Sequence, residues 1–137
     1  MKLDFRILAL FTALVFLLLA VTLMSAPDLI LSSWGVGFSS AAGLMARRFA
    51  ALSAGIAVMF FMARNAEHSA IRTALIQGIT SACTILAFLG IYEFSAGHAN
   101  NGIFGAVFIE VALALAFLYV MGSNRKATRI NRKPRTK

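Results

Sequence analysis

The chain has 137 residues, enough for one domain. Its hydrophobic fraction of 60% and mean hydropathy of +0.83 exclude a soluble globule of this size, since soluble domains average about 45–50% apolar residues. Charge is scarce and lopsided: 13 Lys and Arg stand against 5 Asp and Glu, for a formal net charge of +8.

The apolar residues come in long Leu/Ala/Phe/Ile runs with Gly and Ser inside, which predicts membrane-spanning helices. A membrane barrel would show weaker, alternating segments of about ten residues. The predicted fold is an all-α integral membrane protein, an antiparallel four-helix transmembrane bundle over residues 1–124. Its spans fall at about 7–24, 44–62, 73–92 and 102–121. A basic tail, 125–137, follows.

Ile7 to Met24 forms the first predicted span. Its apolar run is longer than the ~7–15 residues of a signal-peptide core, so an uncleaved helix is expected. Ser25, Ala26 and Pro27 end it, because proline cannot continue a helix and biases its predecessor away from helical angles. Asp28 to Gly43 reads as a long, partly apolar loop with Trp34 set between Ser33 and Gly35. The sequence favours an interfacial loop that half-inserts at headgroup level over a lid closing a cavity between helices.

The second span must start before Arg47 and Arg48. Counted from Phe49 it would cover only ~21 Å at ~1.5 Å per residue, short of the ~30 Å hydrocarbon core. Ala46, Ala50, Ala54 and Ala57 line one face, and Ala51 with Gly55 makes a small-x-x-x-small pair beside it, spacing that lets another backbone approach closely. Arg64 to Arg72 is a polar connection, with His68 expected as a solvated loop residue.

In the third span Thr73, Gln77, Thr80, Ser81 and Thr84 recur at helical spacing. Polar side chains are unfavourable in lipid, so this stripe is expected to face the protein interior, as interhelical adhesion or as a ligand-lining face. Gln77 is its strongest member, since a primary amide wants partners for both donor and acceptor. Cys83, the single cysteine, lies among apolar neighbours and reads as an inert small hydrophobe. Glu93 to Asn101 is a Gly/Asn/Ser turn without Lys or Arg. The fourth span, Gly102 to Met121, is interrupted by Glu110 and closed by Gly122, Ser123 and Asn124.

Seven of the 13 bases fall in the last thirteen residues. Beside a membrane helix such a tail meets anionic lipid headgroups, at ~1 kcal/mol per Lys or Arg. Nucleic acid is not an expected partner, because no recognition module precedes the tail. High charge and Pro134 predict disorder there off the membrane. With four spans, the N-terminus, the 64–72 loop and the tail share one side and hold every base except Arg47 and Arg48. That bias places both termini in the cytoplasm.

Arg47 and Arg48 are then exceptions that call for a specific partner. Glu110 lies eight residues past Gly102, about 12 Å along its helix from the same side. Glu93, His98 and Asp28 converge on that half of the bundle. An Arg47 or Arg48 to Glu110 pair is therefore expected; otherwise Glu110 holds a proton, because an unpaired charge at mid-membrane costs ~2.5 kcal/mol or more. Snorkelling of the arginines to headgroup phosphates is the competing reading.

The pattern R-x-F-A-x-L-x-x-G-I at Arg47 to Ile56, followed by M-A-R at Met62 to Arg64, resembles small inner-membrane proteins of the DoxX-like and related bacterial families. The resemblance spans roughly Leu44 to Met121. It implies a compact four-helix bundle in a bacterial plasma membrane. DoxX-like proteins are linked with membrane redox partners, but no catalytic set carries over onto this chain.

No nucleotide loop, metal-ligand spacing, haem-ligating pair or Ser-His-acid arrangement is present in the sequence, so neither an enzyme nor a cofactor is expected. The expected function is a non-catalytic membrane protein that binds a membrane-protein partner or a lipid-like ligand through Arg47, Arg48, Glu110, Gln77 and Glu93. The alternative is a proton- or ion-coupled small transporter that works as a homo-oligomer through Glu110.

Overall fold

A computed structural model describes residues 4–67 and 69–131, with side chains to residue 122. His68 and the last six residues of the basic tail therefore lie outside the described residues. Those residues form five α-helices: α1 (Phe5–Ser25), α2 (Pro27–Ser33), α3 (Ser40–Ala63), α4 (Ala70–Ser95) and α5 (Ile103–Asn131). Four are long and apolar enough to cross a membrane: α1, α3, α4 and the Ile103–Gly122 part of α5. The protein is all-helical, with the marks of a multi-pass membrane protein.

Helix ends follow local chemistry. At the end of α1, the Ala26 N–H donates to the Thr22 carbonyl at 2.8 Å. Pro27 then opens α2 at a first-turn position where its missing N–H costs nothing. The expected 28–43 loop thus holds all but the first residue of α2 and the first four residues of α3. Ser39 caps α3, its hydroxyl accepting from the Ala42 N–H at 3.1 Å, and Ser69 caps α4 in the same way through Arg72 at 3.2 Å. The Ser39 cap starts the helix well before the arginines, as the span length required. Gly97, with φ 76°, takes the left-handed conformation just past α4.

At Gly122 the structure corrects the sequence reading. Gly122 does not adopt a positive φ, and α5 runs on to Asn131. A glycine inside an established helix costs only ~1 kcal/mol, and the Lys, Arg and Ala that follow are good helix formers. The tail expected to be disordered is helical in its first seven residues, 125–131.

The long helices associate as two close pairs, α1 with α3 and α4 with α5. In the first pair the contact rests on small residues. Ala9, Ala13 and Ala20 of α1 are buried, as are Gly43, Ala46, Ala50, Ser53 and Ala57 of α3. The predicted alanine face holds, with Ala54 half-buried, whereas Ala51 and Gly55 point away from the chain. In the second pair, a Cβ on Gly90 would lie 2.6 Å from Val107 Cγ2, so only glycine allows that approach.

One large cluster joins both pairs at a single end, which we call the Phe5 end. It includes Phe5 and Leu8 of α1, Ala57 and Phe60 of α3, Ile76 and Ile79 of α4, and Phe117 and Val120 of α5. The Phe60 and Phe117 rings meet at 5.4 Å. There Arg72 is buried, its guanidinium 4.0 Å over the Phe5 ring, and donates to the Ala66 carbonyl at 3.4 Å. A second cluster, at the Trp34 end, unites Leu23, Ala46 and Ala50 with Leu19 and Ile30, all from α1, α2 and α3.

The expected inward polar stripe is overturned. Thr73, Gln77, Ser81 and Thr84 are exposed, and only Thr80 is half-buried. Because α1 and α3 satisfy each other, α4 packs chiefly through Ile76, Ile79, Cys83, Ala87 and Gly90, which leaves the Gln77 side uncovered. Thr73 and Thr84 need no inward partner, since each hydroxyl donates to its own helix, to Ser69 and Thr80 carbonyls.

Candidate functional site: an apolar cavity holding Glu110

Between α4 and α5, toward the Trp34 end, lies a half-open cavity of about 420 Å³. That size falls in the range of small-molecule sites, roughly 300–1,000 Å³. Leu86, Leu89 and Gly90 supply the α4 wall, and Ile103, Ala106 and Val107 the α5 wall. Three ionisable residues also line it: Glu93, His98 and Glu110.

Gly90 and Val107, where the two helices come close, both line the cavity. Glu110 follows Ala106 and Val107 by one turn, which brings its carboxyl to the cavity wall. Its Oε2 is buried and accepts no hydrogen bond within the described residues. Glu93 behaves differently. Its Oε2 is 2.8 Å from His98 Nδ1, and the pair sits exposed at the rim.

Trp34 and Val36, from the α2–α3 connection, complete the lining. Their position is held by backbone rather than by side chains. The Asn100 N–H donates to the Trp34 carbonyl at 2.7 Å. Asn100 turns its own Oδ1 to the Gly102 N–H at 2.8 Å. Gly35 has φ 79°, and a Cβ on Gly102 would overlap the Ser33 carbonyl oxygen. Two glycines therefore let the α2–α3 and α4–α5 connections touch. Trp34 and Val36, from the stretch read as a loop, thus line a cavity between helices.

The expected arginine–carboxylate pair does not form. Arg47 and Arg48 are exposed, neither lines the cavity, and the ion pair found among the described residues is His98–Glu93. The reason is helical register. The buried face of α3 passes through Gly43, Ala46 and Ala50, which turns residues 47 and 48 outward. Exposed arginines near a helix end suit snorkelling to headgroups. Gln77 is likewise outside the cavity lining. Of the five predicted binding residues, the structure brings Glu93 and Glu110 together. His98 joins them, and Asp28 does not.

Sequence reasoning missed Gly90 and Gly102 as parts of the site and met Trp34 only in the disfavoured lid reading. Gly35 beside Trp34 was the available signal, because a left-handed turn next to an aromatic fixes where the ring goes. Arg72, read as a loop base, is a buried tie between α1 and α4. No group of three metal-ligating side chains occurs among the described residues. Comparison of the chain with protein-family models, curated proteins and solved structures finds no match.

Proposed function

We propose that the protein is a non-catalytic membrane protein that binds a lipid-like ligand in the Glu110 cavity. The observation that carries this reading is a carboxylate oxygen buried without a partner among the described residues, on the wall of a largely apolar cavity. A buried polar atom left unsatisfied costs about 1–3 kcal/mol, a cost that a ligand donor in the cavity removes. On this reading the chain threads the bilayer as an antiparallel four-helix bundle in a bacterial inner membrane, with both termini cytoplasmic. The lysine and arginine distribution supports that threading. So does the Phe5-end cluster, which collects the start of α1, the end of α3, the start of α4 and the second half of α5. The basic extension of α5 then meets anionic headgroups.

Trp34 is the sole tryptophan and lines the cavity, so its fluorescence reports occupancy. Bromoundecanol is expected to quench it saturably in detergent. Ala106→Leu, which fills the α5 wall, should remove the saturable part while helicity by circular dichroism is retained. Quenching that rises linearly and equally in both proteins would sink the reading.

One observation favours a second role. The exposed Gln77 face of α4 carries an amide and three hydroxyls beside Gly78, where an added Cβ would meet nothing within 4 Å among the described residues. A polar helix face in hydrocarbon suits another helix, from a second copy or a membrane partner.

A further inference from the structure

We infer that the ligand of the Glu110 cavity is a single-chain lipophilic amine, held by its protonated nitrogen. This rests on the cavity being a ligand site and adds the chemistry of the head. The cavity has two unlike regions. Leu86, Leu89, Ile103 and Val107 offer a hydrocarbon wall, while the polar side chains in the lining are two carboxylates, one imidazole and the Trp34 indole. Lys and Arg are absent from the lining, and Arg47 and Arg48, the partners expected for Glu110, are exposed and outside it.

The two carboxylates are not equivalent. Glu93 already has a partner in His98 at 2.8 Å, whereas Glu110 Oε2 has none among the described residues. What the cavity lacks is a hydrogen-bond donor carrying positive charge, at the depth of Glu110. An unpaired Glu110 is expected to hold a proton, and an amine that takes it leaves an ammonium–carboxylate pair in the cavity, whereas a carboxylate head would meet like charge at Glu93. A hydroxyl would satisfy the oxygen without taking that proton. An amine does both, through a charge-assisted hydrogen bond roughly twice as strong as a neutral one. A half-open cavity of about 420 Å³ takes one alkyl chain and a small head.

The test uses the full chain in detergent and three quenchers with the same body: bromoundecylamine, bromoundecanol and bromoundecanoate. Saturable quenching of Trp34 is expected at about tenfold lower amine than alcohol, and weakest for the carboxylate. Glu110→Gln should bring amine and alcohol within about twofold of each other while Glu67→Gln, in the exposed α3–α4 connection, leaves the preference intact. If Glu110→Gln loses helicity, the three-headgroup series on the unaltered protein still decides. Equal affinity for amine and alcohol overturns the amine assignment and leaves the cavity reading standing. Saturable quenching by none of the three overturns the cavity reading itself. Brominated phosphatidylethanolamine in nanodiscs provides the last arm. Quenching beyond that of brominated phosphatidylcholine would assign the amine to a lipid headgroup and overturn the single-chain ligand.

Discussion

Gly102 decides where Trp34 sits. Its missing side chain leaves room for the Ser33 carbonyl, and its N–H anchors the Asn100 side chain, whose backbone N–H in turn holds the Trp34 carbonyl. A methyl group here meets backbone, which cannot rotate aside as a side chain does. Gly102→Ala is therefore expected to cost about 1–3 kcal/mol, the usual range for forced overpacking. It should also release Trp34, red-shifting its emission and weakening bromoundecanol quenching. Thermal unfolding and emission spectra in the same detergent check both effects. Unchanged emission would mean that the indole is held some other way.

Among the elements, α4 is the one whose environment the sequence misjudged. Its polar spacing was legible in Thr73, Gln77, Ser81 and Thr84, but spacing fixes only which residues share a face. Which face packs depends on how many neighbours a helix has, and here α1 and α3 are occupied with each other. The same limit explains Arg47 and Arg48. Complementary charge pointed them at Glu110, while the smaller residues Gly43, Ala46 and Ala50 claimed the packed side of α3. By contrast, the end of α1 before Pro27 follows from local chemistry and was readable directly, whereas the Ser39 cap starts α3 inside the stretch the sequence reads as loop. Gln77→Leu should leave monomer unfolding within about 0.5 kcal/mol, as for surface changes generally. It should weaken self-association by two- to threefold, given about 0.6 kcal/mol per interhelical hydrogen bond. Sedimentation in density-matched detergent reads this. Association unaffected by the change would mean that lipid covers the face.

At the scale of the molecule, the four spans and the lone acid at Glu110 were legible because hydropathy and charge are summed over long stretches. The cavity was not, because it arises where two connections distant in sequence touch at Ser33, Trp34, Asn100 and Gly102. The proposed threading makes a separate prediction. Cys83 is buried and is the single cysteine, so Cys83→Ala gives a clean background. Asn101→Cys should then react with an impermeant maleimide in intact cells, and Thr128→Cys only after the membrane is opened. The reverse pattern would invert the topology.

The two helix pairs are joined very differently at their two ends. At one end a broad aromatic and aliphatic seam runs through Phe5, Phe60 and Phe117. At the other, the second cluster includes nothing from α4 or α5, and the Asn100–Trp34 hydrogen bond spans the gap. Such a frame works like tongs with their pivot at the Phe60–Phe117 rings. Its arms part first where that backbone hydrogen bond joins them, so the Asn100 amide should trade its proton for deuterium long before the amides around Phe117 do.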